Sequence, residues 1–470
     1  MYFSSCYLFA APVTQTSFGG SSRKPAQRKN KTVRDVALNN SSTKRKPDSP
    51  REIGNFLFCP NMCDLLPLEI LLCFLHTLFK ITASVCLEVP GRSRTSAVQQ
   101  PVTEANINDT DHDSQSDENS EEETAHWRPG DLEEIPFTEE GDFTVPPNDK
   151  SPADYFNFYF DDDILELIVH ETNTYSTQKT GKSLNVSKEE IRTFLGILMY
   201  FGVCNLPAAR DYWASRTLVK QVSDVMTRKR YQDIHRRIHF HNNDEEGDDR
   251  MLKVRPILDH MRRKCKEVEK ETKLSVDERM QGYKGTRAGN MRQYLPDKPS
   301  HKWGFKIFVL AGKSGMTYDF IVYCGADTFN MEQLTEEERG LGVGASAVIA
   351  LSKSIGHPEI TTVTFDNWYT GLPLIEYLRN RLNLHSMGTI QRNRVKGCPL
   401  TSAKDMVKKG RGSYESQISK EAVVIVQWAD NKPVCIASSF AGVEPIGSVK
   451  RYSKEAKGKV DVPCPRAVVL

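Results

Sequence analysis

The chain has 470 residues, 63 of them basic and 61 acidic, for a formal net charge of +2; it is long enough for two or three domains with buried cores. The near-neutral total hides segregation, because an early segment is basic, a middle one acidic and the region after residue 186 basic again, so local charge is the informative quantity. Eleven cysteines, an odd number without a repeated spacing, argue against a disulfide framework and for a reducing compartment.

Met1 to Ala11 is apolar but lacks the basic start and full apolar stretch of a secretory signal. The longest apolar stretch, Phe56 to Val89, is interrupted by Asp64, Glu69, His76 and Lys80 short of the ~20 apolar residues that spanning a bilayer requires. No membrane association is expected. Residues 1–150 read as a disordered tail, first basic and then acidic. Lys44-Arg45-Lys46-Pro47 resembles a nuclear localisation signal, and Glu104 to Asp149, dominated by Asp, Glu, Ser and Pro, has too little apolar surface to offset the entropy of ordering.

Folded patterning begins at Ser151. Ile164, Leu165, Ile168 and Val169 recur at helical spacing, and Ser187 with Glu190 forms a capping box ahead of Ile191, Phe194, Leu195 and Leu198. A helix is predicted over Thr227 to Phe240, burying Tyr231, Ile234 and Ile238 and showing Arg228, Lys229, Arg236 and Arg237 mostly elsewhere. Pro256 opens another, with Ile257, Met261, Cys265 and Val268 inside and Arg262, Arg263, Lys264 and Lys266 on its outer face. Residues 151–273 are thus helical. At Leu274 the period becomes alternating: strands are predicted at 274–277, 305–311 and 317–324, a helix at 344–355, a strand at 361–365, a helix at 372–382 and a strand at 385–390. The order β-β-β-α-β-α-β gives a mixed sheet with helices on its faces, and the right-handed crossover rule sets the Thr361 strand beside the first. RNase H-like cores share that topology.

Aspartate is unfavourable within strands. Asp277 falls on the face opposite Leu274 and Val276, and Asp366 follows Val363 and Phe365 at a strand end. On neighbouring strands the two carboxylates would repel unless a cation lay between them, and Mg²⁺ is the natural one. Two such ions run in-line phosphoryl displacement in nucleases and transposases. Asp277 would bridge both and Asp366 would hold one, with a third carboxylate needed for the second ion. Equally, an Asp ahead of a helix is an ordinary cap or turn residue, and periodicity alone leaves both readings open. His235, His239 and His241, or Cys59, Cys63, Cys73 and His76, are weaker metal candidates, and Gly181-Lys182-Ser183 and Gly312-Lys313-Ser314 lack the earlier glycine of a phosphate-binding loop.

From about Asp154 to Leu470 the chain resembles the piggyBac transposase family. The resemblance rests on Phe194-Leu195-Gly196-Ile197-Leu198-Met199-Tyr200, Tyr212-Trp213, Arg228-Lys229-Arg230-Tyr231, Arg237-Ile238-His239-Phe240, Lys253-Val254-Arg255-Pro256, Ser275-Val276-Asp277-Glu278-Arg279-Met280, Pro296-Asp297-Lys298-Pro299, Trp303-Gly304-Phe305-Lys306 and Asp366-Asn367-Trp368-Tyr369. It implies a cut-and-paste DNA transposase with an RNase H-like catalytic domain over 274–391, a helical dimerisation and DNA-binding region over 151–273 and a β-rich insertion over 392–470. It also implies an Mg²⁺-binding aspartate triad, of which Asp277 and Asp366 match the first two members. The third lies, in the family, in a Gly-Gly-Val-Asp type motif after the insertion; here Val460-Asp461-Val462-Pro463-Cys464-Pro465 resembles its approach, and the sequence stops at Leu470. Asp405 and Asp430 fall within the insertion and are not expected to substitute. A zinc module and the second half of the helical domain, found in many relatives, have no counterpart in these residues.

The expectation is a nuclear, transposon-derived protein that binds double-stranded DNA, as a homodimer if the helical region suffices, through Arg228, Lys229, Arg230, Arg236, Arg237, Arg262, Arg263 and Lys264. Mg²⁺ would be weakly held, strand transfer impaired and small-molecule substrates excluded. The alternatives are an active transposase represented by a truncated chain, and a nuclear interaction protein acting through the acidic tail.

Overall fold

The computed structural model describes residues 127–132, 151–283, 291–296, 302–395 and 397–470. The basic cluster at Lys44, the apolar stretch 56–89 with its cysteines and His76, and Asp297 to Pro299 lie outside the described residues.

Helices come first in the main body: α1 (Pro152–Tyr159), α2 (Asp162–Thr180), α3 (Lys188–Val203), α4 (Lys220–Ser223), α5 (Arg228–His235) and α6 (Arg255–Glu267). Their starts are written in the local sequence. Ser151 and Asp154 form a capping box on α1, Asp161 caps α2, Ser187 and Glu190 box α3, and Thr227 caps α5, each such cap contributing on the order of 1 kcal/mol. The apolar stripes predicted for α2 and α3 are buried together in one cluster, with Ile164, Leu165, Ile168, Ile191, Phe194 and Leu195 at its centre. The helix predicted to reach Phe240 ends at His235. Beyond it the chain turns inward instead, stacking the His239 ring on Tyr175 at 3.6 Å, with the His239 backbone N–H donating to the Thr172 hydroxyl.

The sheet then builds from β2 (Lys273–Gly282), β3 (Arg292–Tyr294), β4 (Trp303–Gly312) and β5 (Thr317–Val322), followed by α7 (Glu336–Gly340), α8 (Val343–Ser352), β6 (Thr362–Phe365), α9 (Leu372–Leu382) and β7 (His385–Thr389). β2, β4 and β5 run antiparallel as a meander, while β6 joins β2 in parallel and β7 joins β6 in parallel. The predicted strands and helices follow one another in the predicted order, with the short β3 and α7 as additions that the sequence pattern did not show, and β6 lies beside β2 as expected. One sheet face carries Leu274, Val276, Phe308, Leu310, Val363 and Phe365 against α8 and α9; the other face of the β4–β5 ribbon, with Phe305, Ile307, Phe320 and Val322, packs on the helical cluster.

Two findings depart from the expected domain plan. Residues 392–470 divide: after α10 (Ala403–Lys408), the strands β8 (Tyr414–Ile418), β9 (Val424–Ala429) and β10 (Pro433–Ser438) continue the same sheet because β10 pairs antiparallel with β7, and only β11 (Gly447–Ser453) and β12 (Gly458–Cys464), ahead of the short α11 (Arg466–Val469), form a separate two-stranded ribbon. Placed within the expected disordered tail, β1 (Arg128–Pro129) pairs with β8 and makes the tenth strand. No helix among the described residues is long and apolar enough to cross a membrane.

Candidate functional site

The parallel register of β2 and β6 ends with Val276 opposite Phe365, so Asp277 and Asp366 are the next residues along neighbouring strands, which in a sheet lie about 4.8 Å apart. Alternation does the rest. Leu274, Val276, Val363 and Phe365 are buried on one face, and the two aspartates fall to the other, where both are exposed. Asp277 Oδ1 accepts from the Glu278 N–H at 2.7 Å, and Asp366 Oδ1 accepts from the Trp368 N–H at 2.8 Å, closing a turn at the end of β6.

Glu278 alternates back to the core side, where its Oε2 accepts from the Tyr369 hydroxyl at 3.2 Å. Tyr369 is only 3% exposed. Burial first, and then the charges of Glu278, Asp277 and Asp366, push its phenol well above the usual tyrosine range, so it stays protonated and acts as a donor at neutral pH. Three carboxylates therefore share the surroundings of one buried hydroxyl. Among the described residues no three His, Cys, Asp or Glu side chains group closely enough to hold a metal ion; the aspartate pair supplies two hard oxygen ligands of the kind Mg²⁺ takes, and it fits such an ion in part.

The loop that carries Asp366 is held from several sides. The Asp366 carbonyl accepts from the Thr370 N–H at 3.2 Å and the Thr370 hydroxyl at 2.7 Å, and Arg394 Nη1 donates to the carbonyls of Asn367, Trp368 and Thr370 at 2.7, 3.1 and 3.1 Å. Lys306 Nζ sits 3.9 Å over the Trp368 ring. Gly388 of β7 makes this approach feasible, because a Cβ there would stand 2.3 Å from the Thr370 hydroxyl and 2.6 Å from the Phe365 carbonyl oxygen. Sequence reasoning assigned no role to Glu278, Tyr369, Arg394, Lys306 or Gly388. Glu278 and Tyr369 stand beside the aspartates in sequence, but nothing local shows that their side chains meet across strands.

The cationic residues separate into two groups. Arg228, Lys229 and Arg236 are exposed, with no carboxylate partner among the described residues. Arg230 is paired with Glu190 at 2.6 and 2.7 Å and also donates to the Leu184 and Asn185 carbonyls, Arg237 pairs with Asp233 at 3.2 Å, and Arg263 with Glu267 at 2.8 Å. Arg262 and Lys264 do not lie on an outer face as expected. Arg262 reaches the fully buried Asp319 of β5 through Nε at 2.5 Å and Nη2 at 3.3 Å and also binds Glu332, while Lys264 lies 3.1 Å from Asp161. A buried carboxylate needs such a partner, and α6 packs on β5, so its helix face is set by Asp319. Asp430 is likewise enclosed by Arg411 and Arg451, and Asp405 sits in the first turn of α10, its N–H donating to the capping Ser402 hydroxyl at 3.2 Å. His239 contacts the Ile238 carbonyl and Asn243.

The family model described as "Transposase IS4" matches residues 151–470, which places this helical region and mixed sheet in a transposase-class chain. Among human proteins, PiggyBac transposable element-derived protein 3 is 32% identical over 353 residues, covering 73% of this chain and 57% of that one. PiggyBac transposable element-derived protein 2 is 30% identical over 329 residues, covering 68% of this chain and 53% of its own. The chain belongs to the piggyBac-type transposase family, and it spans about half the length of these two curated relatives.

Proposed function

We propose that this chain is a transposase-derived, duplex-DNA-binding protein of the nucleus, with an RNase H-like core in which Asp277 and Asp366 form a partial divalent-ion site. The observation that carries the reading is the register that makes the two aspartates neighbours on parallel strands. The strand order β5-β4-β2-β6-β7, antiparallel through β2 and parallel thereafter, supports the RNase H-like reading. The preceding helices would supply dimer and DNA contacts.

Asp277 and Asp366 would hold Mg²⁺, which when bound offsets negative charge developing on phosphate oxygens and acidifies a nucleophile. The chain's own residues fix the pair: the Trp368 N–H orients Asp366, and Tyr369 with Glu278 ties the Asp366 loop to β2. Among the described residues no third ligand groups beside the pair, so these two aspartates alone would hold the ion weakly, and DNA binding is the proposed activity of the described residues.

The test is fluorescence anisotropy of the full chain on duplex DNA. If Arg228, Lys229 and Arg236 each neutralise one phosphate, a slope of about −0.9 per contact lowers affinity roughly 40-fold between 50 and 200 mM salt. Asp277→Ala is expected to leave binding intact or improve it, because it removes a negative charge. Absent or salt-independent binding would overturn the proposal, and a large loss in Asp277→Ala would make that aspartate a structural residue.

A further inference from the structure

The far edge of the sheet carries a built contact unrelated to the aspartates. Residues 127–132, Trp-Arg-Pro-Gly-Asp-Leu, lie along β8 with Arg128 opposite Ile418 and Pro129 opposite Gln417. The Ser416 hydroxyl donates to the Gly130 carbonyl at 2.6 Å. Asp131 Oδ2 accepts from the Val443 and Glu444 N–H groups at 2.7 and 3.0 Å, while its Oδ1 accepts from its own neighbour Leu132 at 2.9 Å. A Cβ on Gly442 would stand 1.4 Å from Asp131 Oδ1, so the recess that receives this carboxylate exists only because residue 442 has no side chain. Trp127 packs on the core shared by the sheet and α9, and Leu132 packs on a smaller cluster around Phe440 and Val443.

Such an arrangement has the parts of peptide recognition by strand addition: main-chain pairing along an edge, and side-chain pockets that discriminate. The backbone donors at 443 and 444 select a carboxylate, the edge position tolerates proline, and apolar anchors stand at both ends. Eighteen residues separate Leu132 from Ser151, a length that can reach at most roughly 60 Å when extended, which admits the groove of a neighbouring molecule as well as the chain's own.

We propose that the β8 edge and the 442–444 turn form a recognition groove for residues 127–132, filled in cis by the chain's own segment and exchangeable with the same segment of a second copy. The groove lies five strand spacings from β2, on the order of 24 Å, so it works independently of the aspartate pair.

Two full-length variants test this. In the first, Trp127→Ala, Asp131→Ala and Leu132→Ala together empty the groove; a fluorescent peptide of residues 125–134 is expected to bind this variant at micromolar concentration. It should bind the unmodified chain at least tenfold more weakly, because a tethered segment competes at an effective concentration of about millimolar. In the second, Gly442→Ala fills the recess, and hydrogen exchange should accelerate at the Val443 and Glu444 amides while β9 and β10 stay protected. Mixed together, the empty-groove and the blocked-groove chains should associate as a heterodimer that neither forms alone. An empty-groove variant with protected β9 amides that ignores the peptide would overturn the proposal. So would unchanged exchange at 443 and 444 in Gly442→Ala, and failure of the mixed chains to associate would refute exchange between copies.

Discussion

Replacing Arg262 with alanine separates two roles that the sequence pattern confuses. Asp319 is 0% exposed, Arg262 is 18% exposed and binds both of its oxygens, and Arg262 also reaches Glu332. Removing one member of a buried pair costs about 3–5 kcal/mol, because the remaining charge loses its partner. Lys266 Nζ lies 3.4 Å from Asp319 and would remain, which sets the expectation at the lower end, about 3 kcal/mol, a little over a hundredfold in the folding equilibrium. Arg262→Lys keeps the charge but loses the two-pronged geometry and should cost about half as much. Urea unfolding followed by tryptophan fluorescence gives the stability loss, and anisotropy under native conditions gives DNA affinity. The folded Arg262→Ala protein should bind duplex DNA within twofold of the unmodified chain, whereas Arg228→Ala, Lys229→Ala and Arg236→Ala together should weaken it at least tenfold. Stability unchanged within about 0.5 kcal/mol, with a tenfold fall in DNA affinity, would refute the clamp and return Arg262 to the phosphate-binding surface.

Two further outcomes follow from the packing. Gly388→Ala forces a methyl against the Phe365 carbonyl and the Thr370 hydroxyl; overpacking of this kind costs about 1–3 kcal/mol and should speed hydrogen exchange at the Thr370 amide, and an unchanged exchange rate would contradict the close approach. Burial lowers the pKa of His235, His260 and His385, so as the pH falls through about 6.5, the unfolded value, the unfolded chain takes up protons before the folded one and stability declines. His260→Gln, which keeps a donor for the Tyr159 carbonyl that now lies 2.9 Å from His260 Nε2, should flatten the stability profile between pH 6.5 and 5; an unaltered slope would exclude His260 as a contributor. The carboxylates held low by ion pairs, such as Glu190 and Asp430, lose their contribution only in a more acidic window, as the pH drops through the ordinary carboxylate range.

Local chemistry explains which elements were legible. Ser187 and Glu190 announce α3 because both halves of a capping box lie within four residues, and α9 begins and ends at the predicted Leu372 and Leu382 because Pro373 can only sit in a first turn and Asn383 adopts the left-handed conformation that ends a helix. The strands around Asp277 and Asp366 were legible through alternation and the crossover rule. What local patterning could not show was pairing across distance. β10 joins β7, and so extends the sheet instead of starting a new one, through contacts such as Ile436 with Thr389, 47 residues apart. Residues 127–132 looked like part of a solvated tail because six residues cannot bury a core of their own; their apolar partners are supplied by β8 and the Phe440 cluster.

Charge was the least legible property, for a reason that bears on function. A helix face with Arg262, Arg263, Lys264 and Lys266 in succession has the composition of a phosphate-binding surface, and nothing within α6 reveals that a carboxylate waits on β5. Asp319 sits in the run Thr-Tyr-Asp-Phe-Ile-Val, where an ionised side chain with no partner would cost several kcal/mol. That cost is avoided only if a cation is drawn inward, and Arg262 is the residue whose fork satisfies both oxygens. Of the eight predicted cations, those left exposed and without a carboxylate partner among the described residues are Arg228, Lys229 and Arg236, at the start of α5 and just past its end. The proposed DNA surface is therefore narrower than the sequence suggests, and neutralising Arg228, Lys229 and Arg236 together should reduce the salt slope by about 0.9 per cation.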